Sequence, residues 1–236
     1  MAHRNGLGSK ERYKCLRGLK RVMERIRSGI HGLDELVDGG LPRARAFVVK
    51  GAPGSGKSIF SMQFALSGAS DGEKTVFLTT EHPPKKLRED ALSLGWNIGA
   101  AERRGELSII DAASIRGGKP STEEHAVLHG DDALESALRT ARRLGASRLI
   151  IDSWTALGAG RRDFSKMAHA AAETGITVIA TSECGGEEEA VADGVFELAR
   201  DGDSRSLRIV KMRGTRHSLA SHGFGITEKG ISVERA

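Results

Sequence analysis

The sequence has few cysteines, few aromatic residues, no long apolar run and no internal repeat. The two cysteines among 236 residues, Cys15 and Cys184, lie far apart and outside any C-x-x-C spacing, which argues against a disulfide framework and a thiolate zinc site. Aromatic residues make up 4% of the chain, too few to indicate a stacking platform for single-stranded nucleic acid. No apolar run approaches the roughly 18 residues of a membrane span, and the N-terminus does not resemble a signal peptide. We therefore expect a cytoplasmic protein.

The positive charge of the chain is concentrated in an N-terminal arm. Residues 1–27 hold nine lysines and arginines and two glutamates, a net charge of +7, whereas the whole chain carries +5. Apolar residues recur in this arm at three- and four-residue steps, which predicts a helix. A basic amphipathic helix could pack on its own domain or on a neighbouring subunit, contact DNA, or lie on a membrane surface. We favour packing, keep DNA as a candidate partner of residues 1–27, and expect no membrane association.

The remaining residues, 28–236, have the pattern of one α/β domain. Strand-like apolar runs alternate with helical stretches, which is typical of a mostly parallel sheet covered by helices on both faces. The predicted strands are 46–50, 75–80, 107–111, 149–152 and 176–181, and the predicted helices are 57–67, 85–94, 132–144 and 163–173. A C-terminal β-hairpin is predicted from 195–199 and 207–212 around a polar turn, followed by a strand at 231–234, and residues 114–130 are interpreted as a long polar insertion.

One short segment between a predicted strand and a predicted helix has the pattern of a phosphate-binding loop. It matches G-x-x-x-x-G-K-[ST] and consists of Gly51, Ala52, Pro53, Gly54, Ser55, Gly56, Lys57 and Ser58. Glycines let successive backbone N–H groups converge on phosphate oxygens, and the helix N-terminus adds a positive dipole. Lys57 is expected to reach the β- and γ-phosphates, and the hydroxyl of Ser58 is expected to bind Mg²⁺. The sequence therefore predicts a site for ATP or ADP with Mg²⁺.

A second element of such sites is an apolar strand that ends in a carboxylate. Residues 149–151 are Leu-Ile-Ile and precede Asp152, about ninety residues after the phosphate loop. In phosphate-loop enzymes an aspartate at this place holds the Mg²⁺ shell, usually through water. Asp152 is therefore the second predicted metal-site residue, beside Ser58.

With both elements placed, residues 28–234 resemble the KaiC-like branch of the RecA superfamily, in the manner of single-domain archaeal paralogues. The segment S-G-I-H-G-L-D-E-L-V-D-G-G-L-P, which begins at Ser28, is similar to the lead-in of that family, and the segment K-M-R-G-T from Lys211 resembles its late K-x-R-G motif. The resemblance implies a three-layer α/β fold with a RecA-like ATPase core and a C-terminal β-hairpin extension. It also implies a hexameric or otherwise ring- or filament-forming homo-oligomer that binds ATP at its subunit boundaries, with a hexamer expected first.

The resemblance further implies three catalytic residues besides Lys57. The catalytic carboxylate of the family follows the strand after the phosphate-loop helix, which makes Glu81 the expected general base for the attacking water. KaiC proteins commonly have two glutamates there, whereas this chain has Glu81 and His82, a pair that resembles the one in the bacterial recombinase RecA. Lys211 and Arg213 would reach the γ-phosphate from a neighbouring subunit.

The sequence leaves three functions open. The first is an Mg²⁺-dependent ATPase that acts as an oligomer. The second is a nucleotide-dependent assembly module with negligible hydrolysis, which His82 in place of a second glutamate supports. The third is a DNA-repair or recombination paralogue that binds DNA through residues 1–27.

Overall fold

The structure is a computed structural model that describes residues 23–116, 130–183 and 185–234. The strands are β1 (Arg25–Ile26), β2 (Leu41–Pro42), β3 (Ala46–Gly51), β4 (Thr75–Thr79), β5 (Leu107–Asp111), β6 (Arg148–Asp152), β7 (Thr177–Ser182), β8 (Gly194–Asp201), β9 (Ser204–Met212), β10 (Ser221–Thr227) and β11 (Gly230–Val233). The helices are α1 (Leu33–Leu36), α2 (Lys57–Ser70), α3 (Pro84–Ser93), α4 (Ile98–Arg103), α5 (Ala113–Arg116), α6 (Gly130–Leu144), α7 (Trp154–Leu157), α8 (Arg161–Glu173) and α9 (Glu188–Val191).

Strands β3 to β11 form one sheet with a parallel part and an antiparallel part. Its strand order is β11-β10-β9-β8-β3-β7-β6-β4-β5. The strands from β8 to β5 in this order pair in parallel, whereas β8, β9, β10 and β11 pair antiparallel. The carboxyl ends of the parallel strands therefore lie along one edge, where ligands bind in open α/β sheets.

The parallel strands are buried on both faces because successive side chains point to opposite sides of a sheet. Phe47 and Val49 of β3 belong to a buried cluster that also contains Phe60 and Phe64 of α2. Val48, between them, belongs to a second cluster with residues of α6 and α8 on the other face. The predicted three-layer α/β fold with a mostly parallel sheet is thus confirmed.

The predicted strands and long helices are present with small shifts, and the C-terminal extension is larger than predicted. Strand β10 was not predicted, because the glycines in S-H-G-F-G-I-T interrupt the usual strand pattern, and α4 was not predicted either. The hairpin turn is shorter than predicted, since β8 continues to Asp201 and β9 begins at Ser204. The antiparallel extension therefore has three further strands beside β8.

The N-terminal arm is described only from residue 23. Arg25 and Ile26 form a strand paired with Leu41–Pro42, so the predicted helix is wrong for these two residues. The reason is tertiary, because pairing with β2 places Ile26 in the core, where it is 2% exposed. The rest of the predicted helix, residues 1–22, and most of the polar insertion, residues 117–129, lie outside the described residues. The boundary at residue 28 stays a prediction.

Candidate functional site

The loop between β3 and α2 forms an open backbone cradle at the carboxyl edge of the sheet. Gly54 and Gly56 have φ angles of 77° and 109°, in the left-handed region that favours glycine. Gly56 caps α2 without a side chain, so no side-chain oxygen accepts a hydrogen bond from the first N–H groups of this helix. These groups lack intrahelical partners, and with the helix dipole they favour an anion. The 14-residue helix thus presents a free N-terminus at this loop.

Lys57 folds back over the loop that precedes it. Its Nζ donates to the carbonyl oxygen of Gly51 at 2.7 Å and to that of Ala52 at 3.1 Å. The side chain of Ser55 lies in the interior of the loop, where Oγ is buried and has no hydrogen-bond partner among the described residues. The ammonium group is therefore held at the mouth of the cradle, with one of its three protons free for another acceptor.

Asp152 ends β6 and is 8% exposed. Its Oδ1 accepts a hydrogen bond of 2.5 Å from Oγ1 of Thr181, on the adjacent strand β7. Burial raises the pKa of Asp152 above its usual value; the hydroxyls of Thr181 and Ser58 oppose this shift, whereas the charge of Glu81 adds to it. The nearby side chain of His82 also opposes the shift, and no lysine or arginine forms a salt bridge with Asp152 among the described residues. A cation beside this carboxylate would stabilise its charged form.

Glu81 follows β4 and contacts the end of β6 through a serine. Its Oε1 accepts from Oγ of Ser153 at 2.8 Å, and the same Oγ accepts from the backbone N–H of Ala156 at 3.2 Å. The Ala156 contact directs the serine proton toward the glutamate. Thr80 fixes the serine backbone, because its Oγ1 donates to the carbonyl oxygen of Ser153 and accepts from its N–H. Glu81 is exposed but held at one oxygen.

A cavity of about 340 Å³ joins these groups. It is lined by most of the sequence-predicted residues, namely Pro53, Gly54, Gly56, Lys57, Ser58, Glu81 and Asp152. Gly51, Ala52 and Ser55 form the root of the same loop. A triphosphate with Mg²⁺ fits the chemistry of this cavity, because the cavity offers free N–H groups, an ammonium group, a hydroxyl and a carboxylate without a salt bridge. Magnesium is usually bound by one or two carboxylates together with phosphates and water.

Several residues that line the cavity were not predicted to form part of the site. Ser153 could have been found from its place after Asp152, but Glu183, Arg205 and Ile226 have no linear signal. Arg205 and Ile226 come from β9 and β10, and the antiparallel extension brings them beside the phosphate loop. The Nε atom of Arg205 is buried and has no hydrogen-bond partner among the described residues. The cavity is therefore lined by an arginine whose Nε has no acceptor among the described residues.

Lys211 and Arg213 lie away from this cavity. Lys211 follows Arg205 on β9 by six residues, which at about 3.3 Å per residue separates them by about 20 Å. Both side chains instead donate to carbonyl oxygens of α9: Lys211 to Glu189 and Ala190, and Arg213 to Ala190 and Val191. Burial, and next the charge of Arg213, lowers the pKa of Lys211. The two residues cannot reach the cavity of their own subunit.

Comparison with known proteins gives one family over the domain. The family described as the KaiC ATPase matches residues 26–236. A UPF0273 protein of Methanopyrus kandleri is 36% identical over 234 residues, which cover 90% of this chain and 93% of that protein. The circadian clock protein KaiC3 of Synechocystis is 35% identical over 236 residues, which cover 89% of this chain but 46% of that protein.

A solved structure is similar over the same part of the chain. The crystal structure of a KaiC-like protein from the hyperthermophilic archaeon Pyrococcus horikoshii has a TM-score of 0.78 and 31% identity, and the match covers 90% of this chain and all of that chain. None of the described helices is both long and apolar enough to cross a membrane. The fold and the family agree with the resemblance that the motifs indicated.

Proposed function

The chain belongs to the KaiC family of ATPases, and we propose that it binds ATP with Mg²⁺ and hydrolyses it to ADP and phosphate at the boundary between two copies. The observation that carries this proposal is the single cavity shared by the free N-terminus of α2, Lys57, Asp152 and Glu81. Membership of this family implies an ATP-binding RecA-like protein. What we propose beyond the family is the hydrolysis of ATP, the binding of Mg²⁺ and the assembly of several copies.

The phosphate loop holds the triphosphate by its backbone. The N–H groups from Gly54 to Ser58 surround the β-phosphate, and Lys57 exchanges its contacts with the loop carbonyls for phosphate oxygens. The hydroxyl of Ser58 and, through water, the carboxylate of Asp152 would hold the metal ion. Bound Mg²⁺ would neutralise charge that develops on the phosphate oxygens. Arg205 and Ile226, from β9 and β10, also line the cavity.

Glu81 acts on the attacking water. One of its oxygens accepts from Ser153, so the other remains free to accept a proton from water. As the oxygen of this water bonds to the γ-phosphorus, the bond to the β–γ bridging oxygen breaks, ADP leaves, and Glu81 takes the proton. Lys57 and the N–H groups of the loop stabilise the negative charge that develops on the phosphate oxygens, including that on the β-phosphate of the departing ADP.

A neighbouring copy completes the site. Lys211 lies about 20 Å along β9 from Arg205, which lines the subunit's own cavity, and Arg213 follows the end of β9, so their action on a γ-phosphate requires a second chain. A guanidinium can donate to two phosphate oxygens at once, which suits Arg213 to this position. We infer a ring- or filament-forming homo-oligomer, with a hexamer expected first.

Two measurements test the proposal. Calorimetry should detect binding of MgATP to wild-type protein and to the Glu81→Gln variant with similar affinity, whereas steady-state hydrolysis should be lost only in the variant. Hydrolysis per subunit should also rise with protein concentration, because assembly completes the site. Absence of binding would exclude the proposal, and equal binding with no hydrolysis in wild type would identify a nucleotide-dependent assembly module.

A contact between DNA and residues 1–27 stays a prediction. Arg25 and Ile26 belong to the folded domain, so a test should remove only residues 1–22, which lie outside the described residues. Salt-dependent DNA binding should then be lost, because the basic residues that release counterions are gone. An unchanged salt dependence would exclude the arm as the contact.

A further inference from the structure

Helix α9 and the chain that leads into it connect the two functional regions of the subunit. This segment follows β7 at the carboxyl edge of the sheet and leads into β8, which begins at the opposite edge. Its contacts therefore reach from the vicinity of the nucleotide cavity to Lys211 and Arg213. Under the proposed function, the cavity is the subunit's own ATP site, whereas Lys211 and Arg213 act at the ATP site of a neighbouring copy. The contacts of this segment therefore join two ATP sites.

At the carboxyl edge, α9 is attached by two glutamates. Glu188 is 5% exposed and accepts a hydrogen bond from Oγ of Ser182, the last residue of β7. Oγ of Ser182 also contacts Oγ1 of Thr155 at 3.1 Å, and Thr155 accepts from the N–H of Glu183, which lines the cavity. A displacement of the end of β7 would therefore be transmitted to Glu188.

The second attachment reaches the root of the phosphate loop. Lys50 precedes Gly51, and its Nζ lies 2.9 Å from Oε2 of Glu189. The side chains of Lys50 and Glu189 are 13% and 20% exposed, so water screens this ion pair only partly. Burial lowers the pKa of Lys50, but the hydrogen bond and charge of Glu189, and then those of Glu197, outweigh burial and raise it overall. The lysine therefore stays charged at neutral pH.

At its other end, α9 holds the two basic residues by its backbone. The last carbonyl groups of a helix lack intrahelical partners. Here the carbonyl oxygens of Glu189 and Ala190 accept from Lys211 at 3.1 and 3.0 Å, and those of Ala190 and Val191 lie 3.4 Å from nitrogen atoms of Arg213. Two neighbouring cations repel each other, and these carbonyl groups, together with the charge of Asp193, oppose that repulsion.

We propose that α9 positions Lys211 and Arg213 for the site of the next copy according to the state of the subunit's own site, with Glu189 and Glu188 as positioning residues. This inference rests on the proposed function. A nucleotide that moves the phosphate loop or the end of β7 shifts α9 through Lys50 and Ser182, and the carbonyl groups of α9 carry both cations with them. The ATP site of one subunit is thereby coupled through α9 to the ATP site of the next copy, and the coupling runs in one direction around the oligomer.

Lys50 provides a matched pair of variants. It forms a second ion pair with Glu197 of β8 at 3.4 Å, which does not involve α9. Glu189→Gln and Glu197→Gln each remove one negative charge beside the same lysine, but only Glu189→Gln loosens α9. We expect Glu189→Gln to lower hydrolysis about tenfold with less than a twofold change in MgATP affinity. Glu197→Gln should hydrolyse ATP within about twofold of wild type, and equal losses in the two variants would overturn the inference.

Mixed oligomers separate an effect on the next copy from an effect on the variant's own site. Glu81→Gln subunits cannot hydrolyse ATP but carry intact Lys211 and Arg213. Added in excess to Glu189→Gln, they should raise hydrolysis per Glu189→Gln subunit several-fold, whereas their addition to wild type should not. No rise would show that Glu189 acts on its own site and would overturn the inference.

Two further measurements keep the outcomes distinct. Ser182→Ala removes the other attachment of α9, so it should lower hydrolysis and respond to mixing in the same way, even if Glu189→Gln folds poorly.

Lys211→Ala mixed with Glu81→Gln tests the proposed function by itself. If Lys211→Ala is inactive and mixing does not restore hydrolysis, the assignment of Lys211 to a neighbouring site fails, and the inference fails with it. If Lys211→Ala is restored but Glu189→Gln and Ser182→Ala are not, only the inference fails.

Discussion

The two edges of the parallel sheet both bury charged side chains, but they surround them differently. At the amino edge the buried charge is Arg148, the first residue of β6, and at the carboxyl edge it is Asp152, the last residue of the same strand. The five-residue strand β6 thus begins and ends with a buried ionisable residue. The difference between them lies in what the rest of the protein supplies as partners.

Arg148 has its partners within the subunit. Its side chain is 0% exposed, and Nε donates to Glu73 at 2.7 Å. Nη1 donates to the carbonyl oxygens of Arg27 and Phe64, and the guanidinium lies 4.3 Å from the centre of the Phe64 ring. Gly68 is required beside it, because a Cβ there would lie 2.6 Å from Nε. Nη2 has no hydrogen-bond partner among the described residues and lies 4.0 Å from Oδ2 of Asp71. The other two nitrogen atoms are paired within the subunit, which indicates a structural role.

Asp152 has hydroxyl partners and His82 nearby, but no lysine or arginine forms a salt bridge with it in the described residues. It faces a cavity in which the N–H groups of α2 lack a side-chain cap and the Nε of Arg205 lacks an acceptor. Donors without acceptors, and a buried carboxylate without a salt bridge, are costly without a ligand. A bound anion with a cation would satisfy both kinds of group, so this edge indicates a binding role.

The largest effect is expected at the amino edge. Arg148→Met should lower the free energy of unfolding by about 3–5 kcal/mol, because it leaves Glu73 without its main partner in a largely buried place. Urea unfolding followed by circular dichroism measures this loss. The matched variant is Arg43→Met, since Arg43 also pairs with Glu73 but is 32% exposed, and it should cost much less. Equal losses would contradict a special role for burial.

The opposite result is expected at the carboxyl edge. Asp152→Asn keeps an oxygen that accepts from Thr181 and removes a buried charge, so the unfolding free energy of the protein without nucleotide should stay the same or rise. Hydrolysis with Mg²⁺ should fall about 10- to 100-fold, as expected for a group that holds a metal through water. Thr181→Val removes the hydrogen bond to Asp152 but leaves the negative charge of Asp152 in place, so this variant should retain more activity. A large loss of stability in Asp152→Asn would end the contrast between the two edges.

The sequence predicted the parts of the site that neighbouring residues determine. A loop between a strand and a helix needs its glycines and Lys57 at fixed spacing, and Asp152 lies at the end of an apolar strand, so both leave a linear pattern. Arg205 has no such pattern, because its position depends on how β9 folds back on β8. The same reason hides the partners of Lys50 and Lys211, which lie in α9 far from either residue along the chain.

The predicted fold was most accurate where each strand is apolar throughout. The strands of the parallel part are buried on both faces, and their runs are continuous in the sequence. The antiparallel extension has alternating or glycine-rich segments, and β10 was therefore missed. At the N-terminus the apolar spacing predicted a helix through Ile26, but pairing with Leu41–Pro42 outweighs this local preference.

A smaller effect of pH is expected from Glu73. Burial raises its pKa, but the hydrogen bonds and charges of Arg148 and then Arg43 outweigh burial and bring its pKa below the usual value. Its contribution to stability is therefore complete above the unfolded pKa of about 4.3 and is lost as pH falls through the folded value. The difference in unfolding free energy between wild type and Glu73→Gln should shrink from pH 7 to pH 3. A constant difference would show that the charge of Glu73 is not the stabilising feature.

The smallest effect is expected at Ser153, where the carboxyl edge fixes a group without burying its charge. Ser153→Ala removes the donor to Glu81, so kcat should fall about tenfold or less, while MgATP affinity stays within about twofold, since the serine hydroxyl is not assigned a contact with phosphate. Ser153→Thr keeps a hydroxyl that can donate to Glu81 and should restore kcat. If the threonine variant is as slow as the alanine variant, the serine shapes the end of β6 but does not orient Glu81, and the carboxyl edge would then position its catalytic carboxylate by backbone geometry alone.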